Sequence, residues 1–169
     1  MKLLLAFLSS DSELLESHIL NKAAAWVSGK SNPMIHVEAV FVDRENNSDV
    51  IGRSCSIHYG GKVFLDQKRF SRKQWRFRSV DLSPSQVQKA FEFCQSHVGE
   101  SFNKVGFFMQ PIVGNQRVSK DTWFCSEIVA GALRAGGMDI EESLHPNTLY
   151  LRVCDMTTPD CPRSTALMF

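Results

Sequence analysis

The clearest strand signal in the chain is a ten-residue stretch: Met34-Ile35-His36-Val37-Glu38-Ala39-Val40-Phe41-Val42-Asp43. β-Branched and aromatic residues dominate it, which is typical of a β-strand. Because side chains alternate between the two faces of a strand, His36 and Glu38 share one face. A buried histidine needs a polar partner, so this pair is a candidate for chemistry. The alternative is that both side chains form the solvent-facing side of a half-buried strand.

Further strands are predicted on both sides of this stretch. They are expected at residues 3–8, in a hairpin over residues 55–65 whose turn is Gly60-Gly61, and at residues 75–80. Capping boxes at Ser10 and Ser83 predict two helices, the second ending at Gly99 with Val98 on its apolar face. A third helix is expected from Ser119 or Thr122 to Ala135.

These elements fit one α+β domain with a small antiparallel sheet packed against helices. The chain has 169 residues, of which 43% are hydrophobic and 22% charged, so it can bury a sizeable core. The net charge of +1 provides no overall attraction to nucleic acid or membranes. We expect the domain to span residues 1–156, and residues 157–169, with little periodicity, to form an extended or disordered tail.

The cysteines and the N-terminal residues favour a cytoplasmic protein. The five cysteines are odd in number and include no CxxC pair, which indicates free thiols in a reducing compartment. The apolar start at residues 3–8 is short and is followed by acidic residues without a cleavage site, so a buried strand explains it better than a signal peptide.

Cys125 is the candidate nucleophile. It stands at the start of the third predicted helix, where unpaired backbone N–H groups and partial positive charge stabilise a thiolate. The same N–H groups can bind an oxyanion. The alternative is that Cys125 is a small buried hydrophobic residue, as many cysteines are.

Four segments in order resemble a known family. They are Ile35–Phe41, the hairpin Cys55–Leu65, Gly99–Gly106 and Trp123-Phe124-Cys125-Ser126-Glu127-Ile128-Val129. Together they resemble the circularly permuted NlpC-type cysteine hydrolases, which are papain-like folds in which the histidine strand precedes the cysteine helix. That group has bacterial and large-DNA-virus members and, more distantly, lecithin retinol acyltransferase-like members.

The resemblance implies a permuted papain-like fold with Cys125 as the nucleophile and His36 as the base. The third, orienting residue has three candidates. The retinol acyltransferase branch has a second histidine shortly after the first, whereas this chain has none between His36 and His58. Glu38 ranks first because a carboxylate best stabilises an imidazolium, and Ser56 and His58 on the hairpin are the alternatives. Glu127, two residues after Cys125, is expected to be structural.

A basic segment suggests a different class of function. Six cations and no acidic residue occur within residues 68–78: Lys68, Arg69, Arg72, Lys73, Arg76 and Arg78. Phe70, Trp75 and Phe77 lie among them, which suits an anionic membrane or a nucleic acid. The alternative is a solvated loop and a strand, with Trp75, Phe77 and Val80 inside and Arg76 and Arg78 outside.

The sequence thus predicts a cysteine hydrolase or acyltransferase that cleaves an amide, isopeptide, ester or thioester bond through an acyl-enzyme on Cys125. The expected catalytic residues are Cys125, His36 and Glu38, the expected substrate is a peptide or a lipid acyl group, and this chemistry needs no metal or organic cofactor. The alternative function is a catalytically silent binding module that docks through residues 68–78. His145, which follows Cys125 as in unpermuted enzymes, is a weaker candidate base because Pro146 favours a turn there.

Overall fold

The fold is built on a five-stranded antiparallel sheet. A computed structural model describes residues 1–9, 33–103, 122–141 and 145–157. The strands of the sheet are β1 (Lys2–Ser9), β2 (Met34–Glu45), β3 (Asp49–Ile57), β4 (Val63–Ser71) and β5 (Trp75–Ser79), in the spatial order β4-β3-β2-β1-β5. The long apolar strand of the sequence therefore lies at the centre, with β1 and β3 as its neighbours.

Helices cover one face of this sheet. In the described residues they are α1 (Pro84–Ser96), α2 (Cys125–Ala135) and α3 (Pro146–Thr157). α2 packs against α1, β2 and β3, and α3 packs against β2 and β5. The main core lies between this layer and the sheet, with Phe7, Phe41, Ile128 and Leu133 among its fully buried side chains. The α+β class and the antiparallel sheet packed against helices are thus confirmed.

Local sequence signals account for several elements. Ser83 and Gln86 form the predicted capping box at the start of α1, with Pro84 as the first helical residue. Gly60 adopts a φ of 70° in the turn between β3 and β4, the region that a glycine enters at low cost. Both hairpin strands extend well beyond the predicted residues 55–65, because β3 and β4 pair from Asp49↔Ser71 to Ile57↔Val63.

Two helix boundaries differ from the expectation. α2 begins at Cys125 rather than after Thr122, because Thr122 and Trp123 form a short strand, β7, instead. This strand pairs in parallel with β6 (Ser101–Phe102). The other predicted cap, Ser119, lies outside the described residues. α1 ends at Ser96, so Val98 lies beyond the helix and is 51% exposed rather than part of an apolar face.

The basic strand β5 also has its faces reversed relative to the prediction. Trp75 and Phe77 do not join the main core, but pack with Phe70 in a second apolar cluster on the opposite side of the sheet. Arg78 is half-buried on the helix side, with its guanidinium 4.1 Å from the centre of the Tyr150 ring of α3. The prediction was wrong for Arg78 because α3 covers that part of the edge strand, whereas Arg76 is exposed and Val80 is in the main core as expected.

Some expectations lie outside the described residues. These are the helix capped at Ser10 and residues 158–169 of the predicted tail. Thr157, the first residue of the predicted tail, is instead the last residue of α3. No helix within the described ranges is long and apolar enough to cross a membrane.

Replacing Arg78 should cost more stability than replacing Arg76. Arg78→Ala removes a guanidinium that packs on Tyr150, an interaction worth about 1–2 kcal/mol when partly desolvated. Arg76→Ala changes an exposed side chain on the same face of β5, so its effect should stay within about 0.5 kcal/mol. Urea unfolding of the two single variants measures both values. Equal losses would contradict the role of Arg78 as a contact between β5 and α3.

Candidate active site

Cys125 is the first residue of α2, and the residues around it fix where that helix starts. The preceding residue, Phe124, has extended backbone angles, and its N–H donates to Glu127 Oε2 over 2.9 Å. Glu127 is buried and so acts as a structural carboxylate at the helix N-terminus. Cys125 itself is a free, half-buried thiol. The sulfur therefore lies where backbone N–H groups and the helix dipole favour a negative charge.

His36 lies on β2 with its ring held between aromatic neighbours. The His58 ring stacks on it with centroids 5.2 Å apart, and Trp75 approaches edge-on at 6.3 Å. His58 in turn stacks on Phe64 at 4.9 Å. Only 15% of the His36 side chain is exposed. These contacts restrict the orientation of the imidazole before any substrate arrives.

Glu38 is a buried carboxylate at the centre of the site's hydrogen bonds. Its side chain is 2% exposed and contacts three partners. Glu38 Oε1 lies 3.3 Å from His36 Nε2, Ser54 Oγ donates to Oε2 over 2.6 Å, and Lys68 Nζ lies 3.0 Å from Oε2. The partners come from β2, β3 and β4, so the carboxylate joins three adjacent strands.

Charges in the site stabilise one another. Burial by itself lowers the pKa of His36, but the negative charge of Cys125, a side-chain hydrogen bond with Cys125 and the contact with Glu38 raise that pKa to about 10. Burial raises the pKa of Glu38, but the hydrogen bond and charge of His36, the charge of Lys68 and the hydrogen bond from Ser54 lower it to about 2. At neutral pH the site therefore holds a protonated imidazole beside an ionised carboxylate.

The structure thus brings Cys125, His36 and Glu38 together. Among the three candidates for the orienting residue, Glu38 is the one that hydrogen-bonds to His36. Ser56 Oγ instead donates to the backbone carbonyl of Val37 over 2.7 Å, which fixes β3 to β2. His58 contacts the face of the His36 ring.

His145 forms its hydrogen bonds at the start of α3. Its carbonyl accepts the N–H of Leu149, and its Nδ1 accepts the N–H of Asn147, so it helps to start α3. Burial lowers the pKa of His145, which leaves a neutral imidazole at that helix terminus. Asn147 Oδ1 accepts the N–H of Met34 over 3.3 Å and ties α3 to the beginning of β2.

Four cations of the basic segment have partners within the chain. Lys68 pairs with Glu38, Arg69 with Asp49 at 2.7 Å and Arg72 with Glu45 at 2.9 Å, while Arg78 packs on Tyr150. The acidic partners lie far away in the sequence, so residues 68–78 carry six positive charges and no negative charge when taken alone. In the folded protein, three of those charges are paired with carboxylates. Local pairing reduces the charge that residues 68–78 can offer to an anionic surface.

Sequence reasoning missed the contributions of Ser54 and Lys68. Ser54 lies in an ordinary strand, and Lys68 was grouped with the other cations. Both reach Glu38 only through the pairing of β2 with β3 and of β3 with β4. No recognisable sequence motif links Glu38 to Ser54 and Lys68, so the sequence does not indicate that these side chains are in contact.

The described residues contain no group of three or more His, Cys, Asp or Glu side chains that could hold a metal ion.

No protein-family model, curated protein or solved structure matches this chain. The geometry and charge of the site itself are therefore what point to a function.

Proposed function

We propose that this protein is a cysteine hydrolase or acyltransferase with a permuted papain-like fold. The observation that carries the proposal is the contact of the His36 imidazole with the buried Glu38 carboxylate, beside a thiol, Cys125, that starts a helix and raises the pKa of the same imidazole. A thiol, a base and an orienting acid in contact form the arrangement that activates a sulfur nucleophile. The order of the elements, with the histidine strand before the cysteine helix, supports the permuted form.

In the first half of the proposed reaction, the Cys125 thiolate attacks the carbonyl carbon of the substrate. A C–S bond forms and the carbonyl π electrons move to oxygen, whose negative charge the N-terminal N–H groups of α2 stabilise. When the carbonyl reforms, the bond to the leaving group breaks, and the His36 imidazolium gives that group its proton. The product is a thioester on Cys125 and a neutral His36.

In the second half, neutral His36 acts as the base. It removes a proton from water or from an acceptor hydroxyl or amine, and the resulting nucleophile attacks the thioester carbonyl. Breaking the C–S bond releases the acyl product and restores the Cys125 thiolate beside protonated His36. Glu38 stabilises the imidazolium at the beginning and the end of this cycle.

The substrate class follows from this chemistry. Amide, isopeptide, ester and thioester carbonyls are all open to a thiolate that a histidine assists. We propose a peptide or a lipid acyl group as the substrate. The binding-module alternative has less support, because Lys68, Arg69, Arg72 and Arg78 are already engaged inside the chain.

Cys125 should be far more reactive than the other described thiols. Iodoacetamide should alkylate Cys125 selectively near neutral pH, because Cys125 is half-buried at a helix N-terminus beside the His36 imidazole, whereas Cys55 and Cys94 are buried. His36→Ala removes the imidazolium, and the Cys125 rate at pH 7 should fall about tenfold or more. Peptide mapping by mass spectrometry after timed labelling identifies each modified cysteine. Equal Cys125 rates in the parent and in His36→Ala would refute the proposed dyad.

Glu38→Gln should lower the deprotonation midpoint of His36 and slow the alkylation of Cys125. The variant keeps the shape of the side chain but removes the charge that stabilises the imidazolium, so the deprotonation midpoint of His36 should fall from about 10 toward its ordinary 6.5. Histidine NMR titration measures this midpoint, and the Cys125 alkylation rate at pH 7 should decrease in parallel.

Ser56→Ala and His58→Ala are the matched controls for Glu38. The hydroxyl of Ser56 bonds to the backbone of β2, so its removal should leave the His36 midpoint unchanged. A parent-like midpoint in Glu38→Gln, together with a large decrease in His58→Ala, would assign the orienting role to His58 instead.

A further inference from the structure

Lys68 is the one cation of the basic segment that reaches the candidate site. Its Nζ lies 3.0 and 3.2 Å from the two oxygens of Glu38, and 29% of its side chain is exposed. The ammonium also lies 4.0 Å from the centre of the Phe64 ring. The Glu38 carboxylate and the Phe64 ring together therefore restrict the position of the Lys68 ammonium.

The contacts of Glu38 show what this lysine does locally. Glu38 Oε1 lies near both His36 and Lys68, and Oε2 accepts from Ser54 and Lys68. Without Lys68 the carboxylate would keep one hydroxyl donor and the imidazole, and it could rotate about its last torsion angle. Lys68 thus limits the rotation that would move Oε1 away from His36.

The balance of charge leads to the same role. In the resting state of the proposed mechanism, the Cys125 sulfur and the Glu38 carboxylate carry two negative charges, and the His36 imidazolium supplies one positive charge. Lys68 brings the described group to neutrality, which a largely buried site requires. The charged groups in contact with Glu38 are His36 from its own strand and Lys68 from β4, and Ser54 of β3 adds a neutral donor.

We propose that Lys68 is a positioning residue of the site: through its ion pair with Glu38 it holds the carboxylate that orients His36. This inference rests on the proposed function and extends it. It assigns Lys68 to the candidate active site instead of to a surface that binds an anionic partner. Lys68 acts through Glu38 and does not itself touch the reacting atoms.

The test compares Lys68→Met with Arg69→Met in the full chain. Arg69 is the next residue on β4, points to the other face of the strand and forms its ion pair with Asp49. The rate of Cys125 alkylation by iodoacetamide is measured from pH 5 to pH 9. Lys68→Met should slow alkylation at pH 7 about threefold to tenfold and move the acid limb of the profile to higher pH, because Glu38 then protonates more readily. Arg69→Met should reproduce the parent profile.

A double-mutant cycle with Glu38→Gln tests the route of the effect. When Glu38 is already neutral, Lys68→Met should cause no further loss in the alkylation rate. Lys68→Arg should restore most of the parent rate, since a guanidinium can also pair with the carboxylate. The double variant contains no unpaired buried charge, so it stays measurable even where Lys68→Met alone unfolds.

Two outcomes would overturn the inference on Lys68 alone. One is a Lys68→Met profile identical to that of Arg69→Met while His36→Ala still slows Cys125. The other is an equal loss from Lys68→Met with and without Glu38, which would show that Lys68 acts by another route. Failure of the proposed function gives a different result, namely a Cys125 rate that does not depend on His36.

Discussion

Burial of the Glu38 charge is the constraint on which the site depends. A carboxylate inside a sheet must have its negative charge compensated, and leaving such a charge unpaired costs about 3–5 kcal/mol. Here the compensation comes from three adjacent strands through His36, Ser54 and Lys68. Correct pairing of β2, β3 and β4 is therefore a condition for a satisfied carboxylate. The register of these three strands and the charge compensation of Glu38 therefore depend on each other.

Much of the sheet could be predicted from local sequence signals. The alternation and composition of residues 34–43 indicate a strand, and Gly60-Gly61 indicates the turn that joins β3 to β4. The Ser83 capping box marks α1 because both of its hydrogen bonds are local. Signals of this kind involve residues three or four positions apart, so they can be recognised without knowledge of the fold.

The errors arose where distant segments decide the outcome. Thr122 has a side chain suited to a helix cap, but pairing of β7 with β6 draws it into an extended conformation. Arg78 alternates with apolar residues and reads as exposed, but α3 places Tyr150 over it. For the site, the predicted helix start at Cys125 and the shared strand face of His36 and Glu38 made these residues candidates, and the family resemblance assigned Cys125 as nucleophile and His36 as base. Ser54 and Lys68 could not be found, since only strand register brings them to Glu38.

The positions of His36 and Cys125 in the chain have a consequence for biosynthesis. His36 belongs to an early strand, whereas Cys125 begins α2, and α2 and α3 complete the helical layer over the sheet. Contacts between such distant segments form late, because loop closure must come first. On the proposed mechanism, a chain that is still being synthesised carries an ordinary thiol rather than an activated one. That mechanism therefore couples activation of the Cys125 thiol to completion of the domain, and it predicts that partly folded chains are protected from uncontrolled acylation.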